Sequence, residues 1–391
     1  MPPLLYLDTA RLGRMTPAAK EAQLDFVRLA AEEPSSLYFE QFLRDGFAAW
    51  PAVYQRRYRG LATWSGVAGL KQSFQWLANV PRDWPVLLAS RSLALVKLAT
   101  RWMFRVCRHV LVTDLSWPTY QRVLDRGADR AGAAITSVPI REQVFARELS
   151  EQGVAEILAE RYVANGCDGL FLPAVDHLGI RLPLREIVRR IERRSELRFV
   201  FIDAAQALCH VPLDSAVDVA DFVVAGSHKW VGAYLPMGIA FVAQRRNARF
   251  VRHRLAQLHR TGCLDDPLLR FTQQLDGGKL DDHSETANLT SLFACAGAVA
   301  DVARRGTLGA EMEVPSIDDV ERLVPAPRGD WRFLSPVESM RSRIALFESR
   351  SFSASPADAL RRQWLTAGRV VSAYPRGRVR VSYPLDAHCV D

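Results

Sequence analysis

Short apolar runs alternate with amphipathic segments between about residues 84 and 242. The runs are rich in Val, Ile, Leu and Phe, a composition typical of strands that are buried on both faces. The segments between them, such as residues 141–166, place apolar residues at helical spacing. The pattern predicts an α/β fold with a mostly parallel seven-stranded sheet and helices on both faces. The predicted strands are PVLLAS (85–90), HVLVTD (109–114), AAITSVPI (133–140), GLFLPAV (169–175), RFVFID (198–203), DFVVAGS (221–227) and GIAFVAQ (238–244).

The order of predicted strands and helices changes from about residue 289 onward. A predicted helix (289–306) leads into a Pro- and Arg-rich segment (315–328). Three strand candidates follow, with a helix before the second. The strand candidates are RSRIALFES (341–349), GRVVSAY (368–374) and GRVRVSYP (377–384). The helix is SPADALRRQWLTAG (355–368). This order predicts a smaller α+β domain at the C-terminus.

Composition narrows the class of protein. The 391 residues are 49% hydrophobic and 24% charged, as in soluble globular proteins. The net charge is +8, but clusters such as RRIERR (189–194) have helical spacing, which favours a solvated helix face over a nucleic-acid site. No apolar run reaches the roughly 18 residues of a membrane span, and no signal peptide is recognisable, so we expect a cytoplasmic location without a membrane partner. The six cysteines form no CxxC pair and predict neither a disulfide framework nor a metal site.

Polar and charged residues follow several of the predicted strands. Ligands of parallel sheets bind beyond the carboxyl ends of the strands. The residues at those ends are Ser90, Asp114, Asp176, Asp203, His228 and Lys229. The chain has only five lysines, so Lys229 after an apolar strand requires a reason. A buried charge is costly unless it is paired or used, and a plain ion pair between Asp203 and Lys229 is the alternative to a functional site.

An aspartate and a lysine in this arrangement suggest pyridoxal phosphate (PLP) chemistry. The cofactor withdraws electrons while its pyridine nitrogen is protonated, which a buried carboxylate such as Asp203 favours. Its aldehyde requires a lysine for a Schiff base, and the same amine, here Lys229, can later carry a proton. Its phosphate requires backbone N–H groups at a helix N-terminus together with hydroxyls. Ser90, Arg91 and Ser92, which open a predicted helix, supply them.

The motifs IDAAQ (202–206) and GSHKW (226–230) carry a family resemblance, together with YLDTARLG (6–13) and GRVRVSYPLD (377–386). The chain resembles the class V aminotransferases, a group of fold-type I PLP-dependent enzymes that includes cysteine desulfurases, isopenicillin-N-epimerase-like proteins and kynureninase. The resemblance implies a PLP cofactor and a homodimer with shared active sites. It also implies an N-terminal segment near the active site (1–20), a large cofactor-binding domain (21–288) and a small C-terminal domain (289–391).

The resemblance assigns cofactor contacts near the two motifs. Asp203 is expected to pair with the pyridine nitrogen, and Gln206 to bond the ring hydroxyl. Lys229 is expected to hold the Schiff base. His228, with Ser227 or Gly226, is expected to lie near the phosphate.

Further cofactor contacts are implied elsewhere in the chain. Trp117 falls where the family stacks a ring on the cofactor, and Asp176 where relatives often carry an Asn facing the ring oxygen. Residues 90–92 match the phosphate loop, where Arg91 departs from a Gly-Ala-Thr-like run. Thr286 is expected to reach the phosphate across the dimer interface, although Glu285 replaces the usual Gly before it.

The expected reaction depends on three further features. Arg380 matches the arginine that binds a substrate carboxylate, with Arg378 on the same strand face as its competitor. Residues 345–385 contain no Cys, which disfavours a cysteine desulfurase. An indole at Trp117 cannot transfer protons, so Lys229 becomes the main proton carrier. We expect an aminotransferase acting on an amino-acid-type substrate in a specialised biosynthetic pathway. A lyase, an epimerase and a cofactor-binding relic without activity remain as alternatives.

Overall fold

The structure is a computed structural model that describes residues 4–33, 40–243, 246, 248–261, 265–278, 280, 286–305, 314–325 and 328–383. The strands in this part of the chain are β1 (Leu5–Tyr6), β2 (Val86–Ala89), β3 (His109–Thr113), β4 (Ala134–Val138), β5 (Gly169–Pro173), β6 (Phe199–Asp203), β7 (Phe222–Gly226), β8 (Gly238–Val242), β9 (Trp331–Leu334), β10 (Ile344–Ser349), β11 (Arg369–Val370), β12 (Ser372–Tyr374) and β13 (Arg378–Ser382). The α-helices are α1 (Pro17–Glu32), α2 (Glu40–Asp45), α3 (Ala52–Arg57), α4 (Gly66–Leu77), α5 (Ser92–Val106), α6 (Pro118–Ala131), α7 (Arg141–Phe145), α8 (Glu151–Ala164), α9 (Leu184–Glu192), α10 (Asp214–Val217), α11 (Ala248–Thr261), α12 (Pro267–Asp276), α13 (Thr290–Arg304), α14 (Ile317–Glu321) and α15 (Ala357–Thr366). None of these helices is long and apolar enough to cross a membrane.

The central sheet contains all seven predicted strands, in the order β2-β8-β7-β6-β5-β3-β4. β8 runs antiparallel to both of its neighbours, and the other pairings are parallel. The predicted α/β fold is therefore confirmed. The segment 141–166, which has helical spacing in the sequence, forms the two helices α7 and α8. Arg147 takes a left-handed conformation (φ 59°), and the Ser150 hydroxyl caps α8 by accepting from the Gly153 amide.

The alternation of side chains along the strands separates two apolar cores. On β6, Val200 and Ile202 belong to one core, whereas Phe199 and Phe201 belong to the other. Because successive residues of a strand point to opposite faces, both faces of this sheet have to be covered. Helix α5 covers the face that carries Phe201, and α8 and α9 cover the opposite face. Burial on both faces leaves the strand ends as the place for polar groups.

A second, four-stranded antiparallel sheet has the order β12-β13-β10-β9. The predicted strand 368–374 is interrupted at Val371, so that β11 pairs with β1 in a separate parallel ladder while β12 pairs with β13. The side chains of α13 pack in the larger core of the seven-stranded sheet. The N-terminal strand is thus attached to the C-terminal part of the chain.

The N-terminal segment passes directly over the end of β7. The Gly13 amide donates to the His228 carbonyl at 2.7 Å, and the Thr16 amide donates to the Gly232 carbonyl at 3.0 Å. A Cβ atom on Gly13 would lie 1.8 Å from the Lys229 carbonyl oxygen, so no side chain fits there. The segment therefore packs directly against the backbone of residues 228–232.

Candidate active site

A cavity of about 580 Å³ lies at the carboxyl ends of the parallel strands. Polar side chains from both sheets and from the N-terminal segment share its wall. Of the twelve residues assigned by the sequence, eight line it: Ser92, Trp117, Asp176, Asp203, Gln206, His228, Lys229 and Arg380. The other four, Ser90, Arg91, Ser227 and Thr286, do not.

Asp203 and Lys229 enter the cavity from neighbouring strands. Asp203 ends β6, and Lys229 lies three residues beyond the end of β7. Asp203 Oδ1 accepts from the Ala205 amide at 2.9 Å, and burial raises the pKa of this carboxyl to about 6. Burial lowers the pKa of Lys229 to about 8, although the negative charge of Asp203 acts to raise it. Its Nζ has no hydrogen-bond partner among the described residues, which leaves a reactive amine beside an acid.

The Gln206 amide is oriented by two neighbours. Its Nε2 donates to the Ala10 carbonyl at 2.7 Å, and its Oε1 accepts from Trp230 Nε1 at 3.0 Å. The imidazole of His210 stacks on the Trp230 ring with centroids 3.9 Å apart, and its Nδ1 bonds the Gln206 carbonyl at 2.6 Å. One N–H of the Gln206 side chain remains for a ligand.

The two residues before Lys229 point in different directions. His228 faces the cavity, and burial together with the Lys229 charge lowers its pKa to about 4, so the ring is neutral near pH 7. Ser227 is fully buried, and its hydroxyl donates to the Leu235 carbonyl at 3.0 Å. The predicted phosphate contact is thus available to His228, whereas the Ser227 hydroxyl is engaged in its own turn.

The start of α5 forms one end of the cavity. Ser92 Oγ lies 2.7 Å from the hydroxyl of Tyr120, and both residues line the cavity. A Cβ atom on Gly238 would lie 2.6 Å from the Ser92 amide nitrogen, so glycine permits the close approach of β8 to this helix start. Ser90 is oriented away, since its amide and hydroxyl both donate to Asp266.

Two more predicted phosphate contacts lie outside the cavity. Arg91 is exposed and borders a small hollow with Lys97 and Asp266 on the outer side of α5. Thr286 is exposed just before α13, and Glu285 lies outside the described residues. The expected contact of Thr286 with the phosphate of a partner subunit stays a prediction.

Aromatic rings form one side of the cavity. Trp117 is 42% exposed, and the edge of its indole meets the His177 ring with centroids 5.1 Å apart. Tyr374 lies beyond His177, with centroids 6.3 Å apart. Burial and the charges of Arg141, Arg380 and Lys229 lower the pKa of His177 to about 3. A neutral imidazole and two larger rings therefore surround this part of the cavity.

Asp176 presents one satisfied and one unsatisfied oxygen. Oδ1 accepts from the amides of Leu178 (2.9 Å) and Ile180 (2.8 Å). Oδ2 is buried without a hydrogen-bond partner in the described part of the chain and lies 3.7 Å from Arg141 Nη2. Burial raises the pKa of this carboxyl to about 6. An unpaired polar atom on a cavity wall indicates a place for a ligand.

Arg380, and not its competitor Arg378, borders the cavity. Its Nη1 donates to the His177 carbonyl at 3.1 Å, and its guanidinium carbon lies 5.8 Å from the centre of the Tyr374 ring. Arg378 instead pairs with Glu348 at 2.9 Å and lies outside the cavity wall. The geometry therefore favours Arg380 as the substrate-facing arginine.

These residues fit PLP. Asp203 is a buried carboxylate with a single backbone donor, as a protonated pyridine nitrogen requires. Lys229 is an unpartnered amine, and the exposed face of Trp117 can take a flat ring. The 15-residue helix α5 begins at Ser92 with free backbone donors for a phosphate. The unpaired Asp176 Oδ2 offers a partner for a ring substituent.

Several wall residues were not predicted from the sequence. They are Ala10, Arg11, Tyr120, His177, Ser372 and Tyr374. Tyr120 follows Trp117 by one helical turn, a spacing that sequence reasoning could have used. His177 directly follows a strand-end aspartate but can also be interpreted as part of a surface turn. Ala10, Ser372 and Tyr374 approach the site only through long-range pairing of β1, β11 and β12, which leaves no local signal.

Several known proteins are similar to this chain in sequence. The family model described as Aminotransferase class-V matches residues 88–257. A relative from Oryza sativa subsp. japonica named "Putative L-cysteine desulfhydrase 1" is 27% identical over 237 residues, 58% of this chain and 44% of its own. One from Arabidopsis thaliana named "Probable L-cysteine desulfhydrase, chloroplastic" is 28% identical over 170 residues, 41% of this chain and 34% of its own. The alignments therefore span less than half the length of these relatives.

Solved structures share the fold over almost the whole chain. A cystine C–S lyase in complex with its reaction product cysteine persulfide has a TM-score of 0.68 at 16% identity, covering 98% of this chain and 96% of that one. The ureidoglycine-glyoxylate aminotransferase of Bacillus subtilis has a TM-score of 0.64 at 13% identity, covering 98% and 88%. The fold is thus that of the fold-type I PLP-dependent enzymes. The family model over residues 88–257 covers less than half of the chain, and together with these structures it bears out the predicted resemblance to class V aminotransferases and the PLP cofactor.

Proposed function

We propose that this PLP-dependent class V enzyme acts at Cα of an amino acid, and that its leading reaction is elimination of a sulfur group from Cβ. The observation that carries the proposal is the meeting of Asp203, Lys229 and Arg380 on one cavity wall. An acid, an amine and a cation in one cavity correspond to the needs of the cofactor ring, the moving proton and the substrate carboxylate.

Each residue has a separate task in this proposal. When bound, PLP accepts the electron pair that is left at Cα. Lys229 takes the Cα proton, since a pKa of about 8 leaves part of the amine neutral near pH 7. Asp203 keeps the ring nitrogen protonated, and Arg380 binds the substrate carboxylate. Ser92 and the start of α5 hold the phosphate.

Elimination is favoured over sulfur transfer by the absence of a nucleophile. No Cys occurs in residues 345–385, so no thiol is available there to receive sulfur from a substrate. The relatives named as cysteine desulfhydrases support the same class of reaction. For L-cysteine, the Cα–H and Cβ–S bonds break and hydrogen sulfide leaves. Addition of water then yields pyruvate and ammonium.

Transamination is the second candidate. Trp117 cannot carry a proton, and one lysine is sufficient to move a proton between Cα and the cofactor. This reaction needs a 2-oxo acid as the second substrate. The aminotransferase expected from the sequence is therefore retained, as a candidate behind the lyase.

Product analysis distinguishes the candidates. The protein loaded with PLP is incubated with a panel of L-amino acids, including L-cysteine, with and without 2-oxo acids. Sulfide and pyruvate formed in equal amounts without a 2-oxo acid support elimination. Amino transfer that requires the 2-oxo acid supports the second candidate, and loss of optical activity alone supports epimerisation. If none of the panel loses its Cα proton, the proposal is wrong.

A further inference from the structure

The N-terminal segment places a buried carboxylate, Asp8, against the guanidinium of Arg380. Asp8 Oδ1 accepts from Arg380 Nη2 at 3.0 Å and from the Ser372 hydroxyl at 2.7 Å. Ser372 Oγ also accepts from the same Nη2 at 3.2 Å. The exposed fractions are 3% for Arg380, 5% for Asp8 and 6% for Ser372. The three side chains form a closed set of hydrogen bonds that fixes the plane of the guanidinium.

These hydrogen bonds do not use all of the N–H groups of the Arg380 guanidinium. A guanidinium has five N–H groups. Two on Nη2 are used by Asp8 and Ser372, and one on Nη1 by the His177 carbonyl. Nε is buried and has no partner among the residues that the structure describes. Because Nε is buried, the second Nη1–H is the donor that remains for a ligand on an arginine bordering the cavity.

Asp8 is held in place independently of Arg380. The Leu7 amide donates to the Val370 carbonyl at 2.9 Å, and the Ser382 amide donates to the Leu7 carbonyl at 2.7 Å. The Asp8 carbonyl accepts from the Arg11 amide at 2.9 Å. Backbone hydrogen bonds around Asp8 thus hold its carboxylate in place without the Arg380 side chain.

We propose that Asp8 is a positioning residue for substrate recognition. Together with Ser372 it holds Nη2 of Arg380 and keeps the second Nη1–H for the α-carboxylate of an amino acid. The inference rests on the proposed role of Arg380. The negative charge of Asp8 opposes an incoming carboxylate, so the residue acts through geometry and not through attraction. The same segment bonds Gln206 through the Ala10 carbonyl, so it orients residues for both the substrate and the cofactor.

The test compares a ligand that has the carboxylate with one that lacks it. L-alanine and L-alaninamide are titrated into the PLP-loaded protein, and binding is followed by the absorption of the cofactor. Asp8→Ala should weaken L-alanine about tenfold to a hundredfold, the range of a hydrogen bond to a charged group, and leave L-alaninamide unchanged. Asp8→Asn should stay within about threefold of the wild type, because Oδ1 still accepts from both donors.

A matched control separates positioning from stability. Asp221 is another buried aspartate, paired with Arg246 at 3.1 Å and outside the cavity wall. Asp221→Asn should lower the melting temperature and leave the affinity for L-alanine unchanged. If Asp8→Ala does not fold, Ser372→Ala removes the second acceptor of Nη2 and should weaken L-alanine alone.

Two results would overturn the inference. One is equal weakening of both ligands, and the other is an affinity for L-alanine that neither Asp8→Ala nor Ser372→Ala changes. Arg380→Lys distinguishes this failure from failure of the proposed function. If Arg380→Lys leaves L-alanine binding intact, Arg380 is not the carboxylate site. If it weakens L-alanine while Asp8→Ala does not, only the positioning role is wrong.

Discussion

Replacing Asp203 with Asn should slow catalysis and stabilise the protein without cofactor. An opposite charge within about 4–6 Å shifts a pKa by about 1–3 units, and each unit corresponds to about 1.4 kcal/mol. Without the carboxylate, the ring nitrogen loses its proton and accepts the Cα electrons poorly. We expect the rate of Cα proton loss to fall by about 10² to 10⁴, as when other catalytic electrostatic partners are removed.

The same substitution should stabilise the protein without cofactor. The pKa of Asp203 is about 6 in place of the ordinary 3.8, which corresponds to about 3 kcal/mol against the ionised form at neutral pH. A raised carboxyl pKa is a cost that is present above pH 6 and disappears as the pH falls below 4. Asparagine avoids this cost and still accepts from the Ala205 amide. The gain in unfolding free energy should therefore be largest above pH 6 and vanish near pH 4.

Two assays check this pair of effects. Exchange of the L-alanine Cα proton in D₂O, followed by NMR, reports the catalytic step whichever reaction the enzyme completes. Urea unfolding of the protein without PLP, between pH 4 and pH 8, reports stability. Normal exchange by Asp203→Asn would refute the pairing with the ring nitrogen. Unfolding of the variant, with a stable wild type, would identify Asp203 as a structural ion-pair member.

Further predictions concern the lysine, the phosphate and the subunits. Because the pKa of Lys229 is about 8, roughly a tenth of the amine is neutral at pH 7. The rate of PLP uptake should therefore rise about tenfold per pH unit up to pH 7 and level off above pH 8. A rate that continues to rise to pH 10 would contradict this prediction. Ser92→Ala should weaken PLP binding about tenfold in a titration. Ser90→Ala should lower the melting temperature and leave the PLP affinity unchanged. The reverse pattern would contradict the proposal that the start of α5 holds the phosphate. The protein should sediment as a dimer, and Thr286→Ala should weaken PLP; a fully active monomer at micromolar concentration would contradict the shared site.

The sequence predicted the sheet and most of its functional strand ends because both follow from local patterns. Parallel strands bring their carboxyl ends to one edge, so Asp203 and Lys229 could be placed together without knowledge of the packing. The period of two could not decide between Arg378 and Arg380, which share a strand face. Their partners decided it, since Glu348 engages Arg378 and Asp8 engages Arg380.

The remaining differences arise from long-range contacts. Ser90 is 176 residues from Asp266, the partner that turns it away from the cavity. Asp8 is 364 residues from Ser372 and 372 from Arg380. The direction of Ser227 depends on the turn that brings the Leu235 carbonyl to its hydroxyl. Periodicity and residue type contain no information on such pairs, so the structure was needed to find them.

The most direct test of the proposed PLP site is to find which lysine carries the cofactor. The protein loaded with PLP is reduced with borohydride, digested and mapped by mass spectrometry. Only five lysines are present, and Lys71, half of an ion pair with Asp276 in a second cavity, provides an internal comparison. We predict that the label lies on Lys229 and that Lys229→Ala loses both the label and the visible absorption band. A label on Lys71, or an unchanged band in Lys229→Ala, would contradict the account.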